Sequence, residues 1–219
     1  MTNDRTISIC GAFFAVATLI GLAMMIEGVA SGDATNVEAA EWLAKSGNRA
    51  QMIIAMYVMA GGAIAFAVFA SAVIRRLRAA GAPDLAVDVA RIGAAAYTAL
   101  VLASAVAMAS GAYSLISNNE AQPLDPGVAR TSTLGFAIWV FPAAFAGSVF
   151  VASVSVAAMR SAALPRWLCL IGLLVAVLLL FGISFLPTFS ILIWALCVSI
   201  VAFVRRAGSV SVQAAPQPA

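Results

Sequence analysis

Long apolar segments separated by short polar ones cover almost the whole chain. Runs without Asp, Glu, Lys or Arg occupy residues 6–26, 50–74, 92–119, 131–159 and 167–204. A helix needs about 20 apolar residues to cross the hydrocarbon core of a bilayer. The runs are continuous rather than alternating, which excludes a membrane β-barrel. The pattern therefore predicts an all-α, polytopic membrane protein with its helices in one bundle.

The last run, residues 167–204, is about twice as long as one crossing requires. It is predicted to fold back at residues 185–188, because Pro187 removes a backbone donor and obstructs a continuing helix. The chain is thus expected to form one domain, residues 1–206, followed by a disordered cytoplasmic tail, residues 207–219. The six predicted transmembrane helices are at about residues 7–27, 50–74, 90–116, 132–159, 167–185 and 189–204.

Basic residues concentrate at alternate junctions between these helices, which predicts the orientation of the chain. Cytoplasmic flanks of membrane spans are enriched in Lys and Arg, so the end with more of them is expected to be cytoplasmic. With the N-terminus inside, the inner basic residues are Arg5, Arg75, Arg76, Arg78, Arg91, Arg160, Arg166, Arg205 and Arg206, and the outer ones are Lys45, Arg49 and Arg130. Both termini are therefore predicted to be cytoplasmic, in the plasma membrane. Cleavage of a signal peptide after Ala30 is the alternative for the first run, which is long for a signal peptide and ends in Glu27.

The first outer loop carries its own helix signal. Thr35 and Glu38 have the spacing of a capping box, which predicts a short amphipathic helix through about Lys45, with Gly47 placed to end it. We expect this helix to lie at the membrane surface, either as a simple lid over the bundle or as a gate or docking element for a partner.

The composition removes several classes of chemistry. The chain has no histidine, which excludes His-ligated metal and haem sites and any Ser-His or Cys-His nucleophile pair. Its three cysteines, Cys10, Cys169 and Cys197, all fall within spans and are expected to be structural thiols. The net charge of +3 follows from the loop arginines, and the sequence has no motif for binding nucleic acid or nucleotides. We therefore expect no metal, no cofactor, no nucleic-acid partner and no enzymatic activity.

Small residues recur every fourth position in the third span, at Ala95, Ala99, Ala103, Ala107 and Gly111. Such a row lets a neighbouring helix approach closely. Shorter rows occur in the second and fourth spans, so the bundle core is predicted between spans two, three and four. The alternative is that one row forms the face of a homodimer.

Two sets of residues are the candidate functional sites. Pro142 interrupts the fourth span and is expected to kink it; with Tyr57, Tyr97 and Trp139 it is the candidate cavity or hinge. Improved packing is the alternative explanation of the kink. Glu27 and Arg49 lie at similar depth at the outer ends of spans one and two and form the candidate outer ion pair. Arg91, at the inner end of span three, is expected to reach the membrane surface or to pair with Asp88.

The segment 160–168, RSAALPRWL, places a short basic turn between two spans, with Pro165 at a helix start. Together with the IRRLR exit of the second span, residues 74–78, this turn resembles that of uncharacterised bacterial multi-pass membrane proteins grouped as domain of unknown function 4386. The resemblance implies a six-helix bundle in a bacterial inner membrane. It implies no activity and no site residue.

Three function classes are compatible with these features. A non-catalytic accessory or scaffold subunit, working with membrane lipids and in a homo-oligomer or larger complex, fits best, because buried charges are nearly missing. A transporter or channel for a small neutral or lipidic solute, through a cavity between spans two to four, is the alternative. An intramembrane enzyme is the least favoured class, since it would have to work without histidine.

Overall fold

The structure is a computed structural model and describes residues 2–26, 36–117, 126–181 and 186–213. Within these ranges every regular element is helical. The elements in chain order are α1 (Thr2–Ile26), α2 (Asn36–Ala44), α3 (Ser46–Ala79), α4 (Asp84–Ser117), α5 (Pro126–Ile138), a π-helical turn (Trp139–Ala143), α6 (Ala144–Ser161), α7 (Arg166–Leu180), a 3₁₀ helix (Leu186–Phe189) and α8 (Ser190–Gln213). The predicted all-α class is confirmed.

Within the described residues, five helical segments are long and apolar enough to cross a membrane. They are Asn3–Ile26, Ser46–Ala79, Asp84–Ser117, Thr131–Ser161 and Pro187–Arg205. The sixth apolar helix, α7, has 15 residues, a length of about 22 Å, which is less than the hydrocarbon thickness of about 30 Å. The described part of the chain is therefore a bundle with five candidate spans and one shorter apolar helix.

The helices extend further than the predicted spans, because charged residues end the membrane-embedded part without ending the helix. α3 continues to Ala79 and stops where Gly81 adopts a φ of 74° and Pro83 follows, a combination typical of helix ends. α8 continues to Gln213, past the predicted end of the last span at residue 204, and the predicted domain boundary at residue 206 stays a prediction. Residues 214–219 of the predicted tail lie outside the described residues.

Helices that follow one another in sequence also pack against one another, and the bundle closes as a ring. α1 lies between α3 and α8; α3 then packs on α4, α4 on α5 and α6, α6 on α7, and α7 on α8. The predicted core of spans two, three and four is wrong in part. α3 and α6 touch only slightly, whereas α1 has its most extensive contact with α3. Small-residue rows in the sequence could not reveal this, because they do not say which helix they face.

Both ends of the described chain lie at one end of the bundle. Near the N-terminus, the Asn3 side-chain amide donates to the Ala72 carbonyl (3.0 Å), and the Ser199 hydroxyl of α8 donates to the Ile7 carbonyl (3.2 Å). Arg205 donates to the Ala163 carbonyl at the turn after α6 (3.1 Å). We call this the arginine-rich end; its arginines include Arg75, Arg76, Arg78, Arg91, Arg160, Arg166 and Arg205.

The opposite end is partly covered by α2, the helix expected in the first outer loop. Asn48 donates its side-chain amide to the Trp42 carbonyl at 2.7 Å, and Leu43 is buried while Val37 is exposed. α2 contacts α3 and α5. The helix is confirmed, whereas Thr35 of the expected capping box lies outside the described residues.

Candidate functional site

Aromatic rings fill the centre of the bundle. Six of them are fully buried and come from five helices: Phe14, Phe66, Phe69, Tyr97, Phe150 and Trp194. Phe66 is the hub, with ring centroids 4.8 Å from Phe14, 4.6 Å from Tyr97 and 5.2 Å from Phe150. Tilted and edge-on ring pairs at such distances add to the packing energy. The middle of the bundle is therefore occupied by side chains of the protein itself.

Tyr97 fits into this cluster because a glycine faces it. A Cβ at Gly147 would lie 3.1 Å from the Tyr97 ring and 3.0 Å from Ile191. The missing side chain thus allows α4, α6 and α8 to meet around one tyrosine. Tyr97 is 2% exposed.

A second aromatic cluster lies at the π-helical turn. Trp139 is 1% exposed and has its ring centroid 6.2 Å from Phe136 and 5.7 Å from Phe189. Pro142 sits in the same turn with its own side chain exposed. The predicted disturbance of the fourth span is therefore real, but it takes the form of one π turn between α5 and α6 rather than a break.

The four residues of the candidate cavity do not converge. Tyr97 and Trp139 are buried, whereas Tyr57 is 69% exposed and Pro142 is also on the surface. Tyr57 therefore cannot line a cavity with the two buried residues. Periodicity failed here because apolar positions in a membrane helix face either the core or the lipid.

Of the candidate outer ion pair, Arg49 is described, whereas Glu27 lies outside the described residues. Arg49 is 7% exposed, and its guanidinium donates to the carbonyls of Leu43 (3.3 Å) and Ala44 (2.7 Å). Those carbonyls are at the C-terminal end of α2, where a cation is stabilising. Arg49 thus holds α2 in place, and its pairing with Glu27 stays a prediction.

The row of small residues in the third span does not face the bundle as expected. Ala95, Ala99 and Ala103 are exposed on α4, Ala107 is half-buried and Gly111 is buried. The inward side of α4 carries other residues, among them Gly93, Tyr97 and Val101. Most of the row is therefore an outward surface, and we call Ala95, Ala99 and Ala103 the alanine face.

Glycine and hydroxyl side chains meet at several of the helix contacts. A Cβ at Gly172 of α7 would overlap the Ser155 hydroxyl of α6 and lie 2.8 Å from Nε1 of Trp194 on α8. A Cβ at Gly62 would lie 2.8 Å from the Thr18 hydroxyl. Within the described chain these three polar atoms have no hydrogen-bond partner. Close contact with glycine leaves them little room for one.

Ion pairs join helices at the arginine-rich end. Arg76 pairs with Asp4 of α1, and Asp88 of α4 lies 3.3 Å from Arg78 and 3.7 Å from Arg91. The predicted pairing of Arg91 with Asp88 is confirmed. Within the described residues no group of three or more Cys, Asp or Glu could hold a metal ion.

No protein-family model, characterised protein or solved structure matches this chain. The resemblance to the family of unknown function thus stays a prediction, and function has to be argued from the surfaces and interior just described.

Proposed function

We propose that this chain is a non-catalytic subunit or scaffold in a membrane complex, with a homo-oligomer as the simplest case. The observation that carries the proposal is the alanine face of α4, at Ala95, Ala99 and Ala103, which points away from the bundle. Helices associate in lipid largely through close packing, and small residues at four-residue spacing allow that packing. The exposed Ile92 and Val106 lie seven residues before and after Ala99 on the same side of α4, so a partner helix would meet a shallow depression bounded at its two ends.

The interior supports the same proposal. Six buried aromatic rings occupy the centre, where a solute pathway would have to run. A filled centre favours a structural role over passage of a solute through the middle of the bundle.

The alanine face can be tested by enlarging one of its residues. We expect Ala99→Leu to lower the association constant of the chain at least tenfold, because the larger side chain prevents close approach. The constant is measured by energy transfer between labelled copies in a bilayer. Ala23→Leu, an exposed alanine on α1, is the matched control and should behave like the unchanged protein. Association must be followed as protein is diluted with lipid, so that crowding is not mistaken for binding.

Two results count against the proposal. Equal association of the unchanged protein and Ala99→Leu would remove the alanine face as the contact surface. Recovery from the native membrane of a monomer with no protein companion would contradict the subunit role altogether.

The alternative function, transport of a small neutral or lipidic solute between spans two to four, has one observation in its favour. The π-helical turn Trp139–Ala143 is a type of distortion that often occurs at functional sites. A transporter should take up solute into vesicles. The rate of uptake should change in Pro142→Ala, because this substitution removes the proline from the π-helical turn. Uptake that depends on Pro142 would favour this function over the scaffold.

We also propose that α7 and α8 both cross the bilayer, which gives six spans with both termini in the cytoplasm. The clustering of arginines at the end that holds both chain ends supports this orientation. The short α7 can be accommodated by local thinning of the bilayer. The resemblance of segment 160–168 to bacterial six-helix proteins is consistent with this arrangement and with an inner-membrane location.

A further inference from the structure

A groove runs between α4 and α6 at the arginine-rich end. It has a volume of about 330 Å³ and is lined by Leu85, Ala86 and Val89 of α4 and by Ala152, Val156 and Arg160 of α6, among others. Apolar side chains form most of its length, and one guanidinium stands at its end. From Ala152 to Arg160 the groove follows two helical turns, about 12 Å.

The groove begins beyond the point where the two helices touch. A Cβ at Gly93 would lie 2.7 Å from the Phe150 backbone nitrogen, so the backbones are in contact there. Toward the arginine-rich end the side chains lining the gap include Ala86, Val89 and Ala152, which are too small to fill it. The groove opens to the outer surface of the bundle, where Leu85 is 79% exposed.

The charged groups around the polar end are predominantly basic. Arg160 is exposed and makes no hydrogen bond or ion pair within the described residues. Asp88 already lies between Arg78 and Arg91, which leaves Asp84 as the other acid of this part of α4. Arg78, Arg91 and Arg160 together with Asp84 and Asp88 carry a net positive charge. This charge favours an anionic group beside Arg160.

We propose that this groove binds one acyl chain of an anionic phospholipid, with the lipid phosphate on Arg160. The apolar part of the groove and the arginine at its end lie along one line, which matches the acyl chain and the headgroup of a lipid. Basic pockets between membrane helices bind anionic headgroups. A lipid is favoured over a partner helix because the groove ends in an exposed arginine that makes no hydrogen bond or ion pair within the described residues, and a lipid phosphate would complement this charge.

The test is native mass spectrometry of the full chain released from bilayers with equal amounts of phosphatidylglycerol and phosphatidylcholine. We expect phosphatidylglycerol to be retained about fivefold over phosphatidylcholine, the ratio that corresponds to about 1 kcal/mol per surface arginine. Arg160→Gln should bring this ratio close to one. Val156→Trp, or the smaller change Ala152→Leu, should fill the groove and reduce retention of both lipids.

Matched controls separate the groove from general surface charge and from the alanine face. Arg166→Gln removes an arginine that is also exposed but does not line the groove, and it should leave the ratio unchanged. Ala99→Leu should also leave it unchanged, so failure of the subunit proposal and failure of the lipid proposal can be distinguished. Thermal unfolding of each variant in detergent checks that it is folded.

Three outcomes overturn the proposal. The first is an unchanged lipid ratio in Arg160→Gln. The second is an equal loss in Arg166→Gln, which would mean that the charge of the whole end, not the groove, selects the lipid. The third is displacement of the retained lipid by inorganic phosphate alone, which would identify a site for a free anion.

Discussion

Ala162 joins α6 to α7 in an unusual backbone conformation. Its φ is 52° and its ψ 24°, the left-handed region in which a side chain costs roughly 1–2 kcal/mol. This position follows the last residue of α6, where glycine is the common choice. The turn in segment 160–168 is therefore strained at one residue, although the sequence shows an ordinary alanine there.

We expect Ala162→Gly to raise the free energy of unfolding by about 1 kcal/mol, because it removes this strain from an exposed position. Ala79→Gly is the matched control, since Ala79 is exposed in the last turn of α3 with ordinary helical geometry. It should lower stability by up to about 0.5 kcal/mol, because the full glycine penalty applies within a helix and Ala79 is its last residue. Denaturant titration in mixed micelles measures both changes, and a loss of stability in Ala162→Gly would contradict the assigned conformation.

At the scale of helices, glycines decide how closely neighbours approach. Besides Gly93 against Phe150, a Cβ at Gly135 would lie 2.5 Å from the Met108 nitrogen, and the Ser104 hydroxyl donates to the Gly135 carbonyl at 2.7 Å. α4 is thus in backbone contact with both halves of the fourth span. Gly61, by contrast, has one distant neighbour, Phe13, at 3.9 Å.

Gly93→Ala and Gly61→Ala therefore form an informative pair. Gly93→Ala should destabilise the bundle by about 1–3 kcal/mol, since backbone atoms have to move apart. Gly61→Ala should be neutral or stabilising by up to about 1 kcal/mol, because alanine is the better helix former. Unfolding in the same micelles compares them, and equal effects of the two substitutions would show that the α4–α6 contact is not as close as described.

For the whole molecule, the arrangement of the last two helices determines the topology. Because α8 is antiparallel to α1 and its Ser199 lies beside Ile7, the C-terminal half of α8 returns to the end of the bundle at which α1 begins. Among the described apolar helices α7 is the shortest. The depth that its C-terminal end reaches in the bilayer therefore decides between six full spans and a shallower hairpin.

Six full spans make a definite labelling prediction. Phe181, which is 65% exposed at the end of α7, should become reactive toward a membrane-impermeant maleimide from the outside when replaced by cysteine, as should Ser117→Cys at the end of α4. A fluorescent protein that folds only in the cytoplasm should fluoresce when fused after residue 213. Labelling of Ser117→Cys without labelling of Phe181→Cys would contradict a full crossing by α7.

The sequence by itself determined the helical class, the positions of the apolar helices, the division of the last run into α7 and α8 and the clustering of arginines, because the bilayer imposes the length and charge of every crossing. It also anticipated the Arg91–Asp88 pair, since both residues lie one turn apart on the same helix. Only the tertiary structure decided which side of each helix faces inward. Lipid and protein core are both apolar, so hydrophobic periodicity does not distinguish them, and the alanine face of α4 and Tyr57 were for this reason expected inside. Packing of the aromatic rings around Phe66, and the glycines that permit it, placed them on the surface.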